Sequence, residues 1–587
     1  MSERLEVSPE NYSRQATVRR LLGRAGVCLA GGALMAAPYA FVSSLSHTEV
    51  HDDLGPVPAS VKFAPGHSSI DLGVLGAIYD ESLTGAGVGL NVEVDGPPSI
   101  LESIDTNNPD RLVKPFAALY QDPTGALEGY RVAMEHEIKR ELLTTELRTT
   151  AALSTLAFII ASLGSNVPSR ERKRYLAATF GGISMLSILA SADMYHQWQE
   201  EHAHPAVNYP VAAISSPEHG TITASNRLLA SIIDRAAPLI EEQRERNTQE
   251  TERFITTARR SIDQQLILGT FVPPRSDETL VLALSDLHSN HAMIEVYQYL
   301  VEQINERYGE HTLELTLLVG DQTYGSATEK GAVDAISQIS SDIYGISGNH
   351  DGPLIKQQAE SRGITMLNGS TVTATNDIRI LGAPDPMLTK LPALFGFSED
   401  VLRNKEIGSQ EELGELLADE AKETNPTFVL SHEAYALNSL IDKDDISLHS
   451  MEQWLGSGTE YANISSAAVL YGHWHRQFDY RIVRDDDGKG TIVAELGTSG
   501  GASGKMSLSS LSFPWTTPAK KASAVLFRVD TDRQLVTGIQ EVNTRTSGEV
   551  MFQPAETIMQ PSEVDSESKD GSAQDNTSSV EDKKRKS

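Results

Sequence analysis

Five short stretches between residues 280 and 475 each follow an apolar run with aspartate, asparagine or histidine, and they constrain the fold more than any other feature. Leu280-Val281-Leu282-Ala283-Leu284 leads into Ser285-Asp286-Leu287-His288. Leu315-Thr316-Leu317-Leu318-Val319 leads into Gly320-Asp321. The shorter Ile343-Tyr344-Gly345-Ile346 precedes Gly348-Asn349-His350-Asp351. Phe428-Val429-Leu430 precedes His432, and Ala467-Ala468-Val469-Leu470-Tyr471 precedes Gly472-His473-Trp474-His475. Apolar runs of this length read as buried strands. Ligands of α/β sheets gather at the carboxyl ends of strands. Strand ends that offer carboxylate oxygen and imidazole nitrogen to one crevice are what a metal centre needs.

The donor set suits two ions better than one. Asp286, His288, Asp321, Asn349, His432, His473 and His475 are seven side-chain ligands. One zinc-like or iron-like ion rarely takes more than about six, and catalytic sites keep positions open. Two ions roughly 3.5–4 Å apart that share a carboxylate would use the whole set. Oxygen and imidazole donors suit manganese, iron and zinc alike.

The order D-x-H, G-D, G-N-H-D, a lone His and G-H-x-H resembles the calcineurin-like metallophosphoesterase family over about residues 280–504. The resemblance implies a four-layer α/β/β/α sandwich and hydrolysis of phosphomonoesters or phosphodiesters by metal-activated water. It implies one ion on Asp286, His288 and His475 and the other on Asn349, His432 and His473, with Asp321 bridging. His350 matches the histidine that protonates the leaving oxygen or steadies the phosphoryl group, and Asp351 the acid that orients it. The family often carries a carboxylate or amide three residues after the bridging aspartate, where this chain has Tyr324. Taken singly, a D-x-H or a lone histidine is common by chance; the weight lies in the order. Two rivals remain: a membrane-bound sensor with a silent domain of the same fold, and a nuclease.

Acidic residues number 80 against 49 basic ones, for a net charge of −31, which argues against a nucleic-acid backbone as the main partner. The expected substrate is instead a phosphoester, small or lipid-linked. The one cysteine, Cys28, excludes an internal disulfide and a thiolate zinc site, and suits a bacterial extracytoplasmic protein. Cys28 is expected to be a buried apolar side chain.

Residues 1–24 form a cytoplasmic N-terminus with Arg19, Arg20 and Arg24, and residues 25–46 carry no charge over a length that can span a bilayer. A cleaved signal peptide is the rival, with Ala37-Pro38-Tyr39-Ala40 as its site. Further spans are expected at 149–169 and 175–192, joined by the basic loop 170–174. Both basic segments then lie inside the cell, by the positive-inside rule. Residues 47–147 and everything after 193 lie outside, so the chain is a multi-pass membrane protein with an extracytoplasmic catalytic region.

Residues 47–147 and 193–276 are expected to form one small α+β juxtamembrane domain, with strand-like 87–94 and helical 228–268. His51, His67, His136, His202 and His204 read as solvated. The catalytic domain runs over 277–550, with helices at 288–307, 332–339 and 354–361. Insertions at 390–424 and 437–463 flank the centre; Leu394, Phe395 and Phe397 of the first are expected to cap the core, with an apolar substrate pocket or a membrane-facing lip as the alternatives. Residues 485–488 read as a hairpin turn, and 557–587 as a disordered tail.

Overall fold

A computed structural model describes residues 9–54, 57–72, 76–80, 88–94, 123–163, 169–201, 208–212, 222–389, 401–403, 408–437, 467–484, 490–502 and 520–558. Leu394, Phe395, Phe397, His202, His204, the 485–488 turn, the insertion from 438 and the tail from 559 lie outside the described residues.

The chain opens with helix α1 (Pro9–His47), whose stretch Ala25–His47 is long and apolar enough to cross a membrane. Strands β1 (Glu49–Leu54), β2 (Val57–Pro65), β3 (Ser68–Asp71), β4 (Ala77–Asp80) and β5 (Val88–Val94) follow. Two long helices come next, α2 (Pro123–Leu163) and α3 (Ser169–Glu201). The short β6 (Tyr209–Pro210) and β7 (Ile222–Ala224) then complete a seven-stranded sheet of order β1-β2-β5-β3-β4-β7-β6. Both flanks of the helical pair therefore share one sheet. His67, expected in solvent, is 5% exposed and meets the Tyr79 ring edge-on, because it sits where β3 closes over β5.

Helix α4 (Arg227–Leu268) starts at Asn226, whose side chain accepts from the Leu229 amide. It ends at Gly269, which takes the left-handed φ of 72° that glycine adopts freely. The final turns of α4 lay Phe254, Ala258, Ile262 and Leu266 onto the next sheet.

From there strands and helices alternate: β8 (Glu278–Leu284), α5 (His291–Tyr308), β9 (Leu313–Val319), α6 (Lys330–Ile336), β10 (Asp342–Ile346), α7 (Pro353–Ser361) and β11 (Thr365–Met366). The face expected to be apolar on α5, with Ile294, Tyr297, Leu300, Val301 and Ile304, is the buried one. The chain continues through β12 (Val372–Thr373), β13 (Arg379–Gly382), β14 (Met387–Thr389), β15 (Val401–Arg403) and α8 (Gln410–Thr424). It ends with β16 (Phe428–Leu430), β17 (Ala468–Tyr471), β18 (Asp479–Arg484), β19 (Gly490–Glu495), β20 (Ala522–Asp530), β21 (Leu535–Thr544), β22 (Val550–Phe552) and β23 (Glu556–Thr557).

These strands build an eight-stranded sheet, β11-β10-β9-β8-β20-β21-β22 with β23 on β21, and a six-stranded sheet, β12-β13-β16-β17-β19-β18. Residues alternate between the two faces of a strand. Val281 and Ala283 of β8 thus face Phe428, Leu430, Leu470 and Ile492 of the smaller sheet in one shared core. Leu280, Leu282 and Leu284 face α4 and α5 on the other side. Leu413, Leu417 and Ala421 of α8 cover the outer face of the smaller sheet at Val429 and Val469. The chain is thus a mixed α/β protein with several sheets and one N-terminal apolar helix.

Candidate metal centre

The central parallel strands place every expected ligand past a carboxyl end. Asp286 and His288 follow β8, Asp321 follows β9, Asn349 and His350 follow β10, His432 follows β16, and His473 and His475 follow β17. Register aligns Leu284 with Leu318 and Leu430 with Leu470, so the ends stand level within each sheet.

Two clusters form. In the first, the Nε2 atoms of His288 and His475 stand 3.0 Å apart, and His475 Nε2 lies 3.1 Å from Asp286 Oδ1. His288 Nε2 is 3.8 Å from Asp321 Oδ2. In the second, His432 Nε2 lies 3.2 Å from Asp321 Oδ2 and 3.1 Å from Asn349 Oδ1. His473 Nδ1 is also 3.1 Å from Asn349 Oδ1. In each cluster the carboxylate and imidazole atoms lie within 4.8 Å of one another, and Asp321 belongs to both. Asp286, Asp321, His288 and His432 are 0–2% exposed.

The chemistry of these donors fits divalent cations. His432 Nδ1 lies 2.8 Å from the Val319 carbonyl, which can only accept, so that nitrogen carries the proton. Nε2 then faces two acceptor oxygens, an arrangement satisfied when a proton or a cation sits among them. Asp286 Oδ1 is buried and receives no hydrogen bond from the described residues. Burial alone raises Asp286, but the imidazoles of His475 and His432 overcome it and hold the carboxyl at about 2. Burial and the charge of His475 lower His288 to about 3, and burial with His432 lowers His473 to about 4. Burial lowers His432 and His475 as well, yet Asp321 and Asp286 respectively outweigh it and raise both. Asp321 and Asp286 thus favour positive charge in each cluster.

The backbone is bent to make this possible. Asp286, His288, Ser289, Asp321, His473 and His475 all have φ between 45° and 73°, a left-handed conformation costing about 1–2 kcal/mol per non-glycine residue. Such strain persists where the surroundings over-determine it, commonly at functional sites. Gly348 is needed because a Cβ there would lie 2.2 Å from Asp321 Oδ1.

His350 is 8% exposed, with Nε2 3.9 Å from Asp321 Oδ2 and its ring edge-on to His288. Asp351 was expected to orient the His350 ring. Its carboxylate instead accepts from the amides of Gly348, Gln322 and Thr323 and from the Thr323 hydroxyl. It ties two ligand loops together, and reaches His350 through the backbone. Burial and neighbouring Asp321 push Asp351 up to about 7.

Other residues of the site carry no motif of their own. Thr389 on β14 accepts from Asn349 Nδ2 at 3.0 Å, and its amide donates to the Asn349 carbonyl. Ser285 Oγ stands 2.7 Å from Asp286 Oδ2. Glu329 is buried and accepts from the amides of Tyr324 and Ser326. The pattern Ser326-x-x-Glu329 is a readable capping box and could have flagged it. Tyr324 stacks on the His288 ring, with centroids 4.6 Å apart.

No protein-family model matches the sequence, and no curated protein matches it. Among solved structures, the chain is similar to a phosphopantetheinyl hydrolase from Mycobacterium tuberculosis, at 13% identity and a TM-score of 0.22. That match covers 38% of this chain and 92% of the other. So loose a superposition leaves the assignment to the residues themselves.

Proposed function

We propose that the chain is a membrane-anchored phosphoesterase that works with two divalent metal ions. The observation that carries this reading is the pair of buried clusters sharing Asp321, one of them with His432 Nε2 facing Asp321 and Asn349. Asp286, His288 and His475 would hold one ion, and Asn349, His432 and His473 the other, bridged by Asp321. Bound ions of this kind polarise a phosphoryl group and acidify water toward neutral pH. The two facing sheets with helices on their outer faces support the four-layer α/β/β/α sandwich.

The protein's own groups divide the remaining work. Asp286 and Asp321 fix the charge that selects cations. His350 stands beside the shared carboxylate without belonging to either cluster, the place for a group that reaches substrate. Burial lowers its pKa against the opposing pull of Asp321, and an anionic phosphoryl group entering the site would raise it back. His350 is then the donor to the leaving oxygen.

Three features support the membrane reading. Helices α1, α2 and α3 pack around Cys28, Met35, Ala157 and Ile183. Their contacts are close and small: Ser187 Oγ donates to the Met35 carbonyl at 2.6 Å, and Gly32 faces Ser154. Leu34, Ile159, Met185, Leu186 and Ile188 point outward and are 50–82% exposed. Small, hydroxyl-bearing residues inside with large apolar residues outside is the pattern of helices packed in lipid. The basic stretch 170–174, expected as a loop, instead forms the first turns of α3; on the cytoplasmic side by the positive-inside rule, it favours a topology with the sheets outside the membrane.

The test is turnover by the full chain in detergent. Aryl phosphate, aryl phosphodiester, cyclic nucleotide and lipid-linked phosphate would each be assayed with manganese, iron or zinc added back. Hydrolysis that chelation abolishes and metal restores is expected. No turnover under any metal would overturn the assignment.

A further inference from the structure

A metal-binding histidine usually donates its second ring nitrogen to a carboxylate or carbonyl, which fixes the ring's orientation. His432 does so through Val319, but His288 Nδ1 is buried with no hydrogen-bond partner among the described residues. Something else must hold the His288 ring. Tyr324 is that contact, stacked on it at 4.6 Å with 27° between planes and edge-on to His350.

Tyr324 is in turn held from outside the two sheets. Its amide donates to Glu329, which also accepts from the Ser289 hydroxyl, next to His288. Glu329 closes the 3-10 turn Ala327–Glu329. That turn is gripped by the N-terminal region. Asp52 of β1 accepts from the Ala327 amide at 2.9 Å and the Ser326 hydroxyl at 3.1 Å. From α2, Gly129 comes so near that a Cβ would stand 1.8 Å from the Ala327 carbonyl oxygen. Tyr130, Ala133 and Met134 of α2 share a buried cluster with Ala327 and with Val50 and Val61 of the seven-stranded sheet. The helix that carries Gly129 continues to Ala157 in the three-helix bundle.

We propose that Asp52 and Gly129 are positioning residues for the metal centre. They set the 322–329 segment so that Tyr324 holds His288 in its ligating orientation. The N-terminal region is then part of the site and not only a tether. This inference rests on the two-ion reading above, and its test reads metal separately from turnover.

The full chain in detergent, as Asp52→Ala, Asp52→Asn and Gly129→Ala, would be loaded with manganese and dialysed against a weak chelator. Asp52→Ala and Gly129→Ala should lose one metal equivalent of two, at a chelator concentration about tenfold or more below the wild type's, the scale for outer-shell partners. Asp52→Asn keeps an acceptor oxygen and should recover most of the affinity. Alanine favours a helix more than glycine does, so a role confined to α2 packing predicts no metal loss in Gly129→Ala. Where Asp52→Ala fails to fold, Gly129→Ala decides alone. Full metal retention in Gly129→Ala, or in a folded Asp52→Ala, overturns the inference. A wild type that keeps metal but hydrolyses no ester overturns the phosphoesterase reading and leaves the retention result standing. A wild type that binds no metal overturns both.

Discussion

His350 separates catalysis from metal binding more sharply than any other residue. It follows Asn349 directly, and the two side chains diverge. Asn349 Oδ1 lies 3.1 Å from two imidazole nitrogens of the second cluster, while His350 Nε2 stands 3.9 Å from Asp321 and belongs to neither cluster. His350→Asn should therefore leave metal content near wild type. It should lower turnover by about 10²–10⁴-fold, the range for a lost general acid. That is a barrier increase of about 3–5 kcal/mol, at 1.36 kcal/mol per tenfold. The loss must depend on the leaving group. An acidic nitrophenolate needs no proton and should show a much smaller deficit than a simple alkoxide. Metal analysis and rates on both substrates check this. Equal deficits on the two would refute proton donation and leave His350 with charge stabilisation alone.

Asp321→Asn should empty both clusters together, since the shared carboxylate is lost from each; two retained ions with near-normal turnover would refute the bridge. The metal-free chain should lose stability as pH rises above ~6.5, the unfolded histidine pKa. Above it the folded state keeps protons on the raised His432 and His475 that the unfolded state releases, so stability falls with rising pH. A melting temperature that rises from about pH 6.5 to about pH 9 in chelator would contradict these shifts. Protease added to intact, wall-stripped cells should digest the region after residue 193; digestion only after lysis would reverse the proposed topology.

What the sequence reveals of this centre, and what it hides, follows from distance along the chain. Asp286, Asp321, Asn349, His432 and His473 are legible because each follows a short apolar strand, and a buried parallel sheet forces such strands to end together. The helix faces are legible for the same kind of reason, since period and burial coincide on α5. The support around the ligands is not local. Thr389 reaches Asn349 across 40 residues, and Asp52 reaches Ala327 across 275. Neither carries a periodic or motif signal, because a hydrogen bond between distant loops leaves no spacing to read. Tyr324 shows the limit most clearly. By family pattern it is a departure, an aromatic ring where a carboxylate or amide is common. In three dimensions the ring stacks on a histidine whose second nitrogen has no hydrogen-bond partner among the described residues. A stacked ring can fix the plane of an imidazole without tuning its basicity, whereas a carboxylate does both. The first cluster should then be governed by the packing that places Tyr324, and the second by the Val319 carbonyl at His432. The two halves of one centre would answer to different parts of the chain.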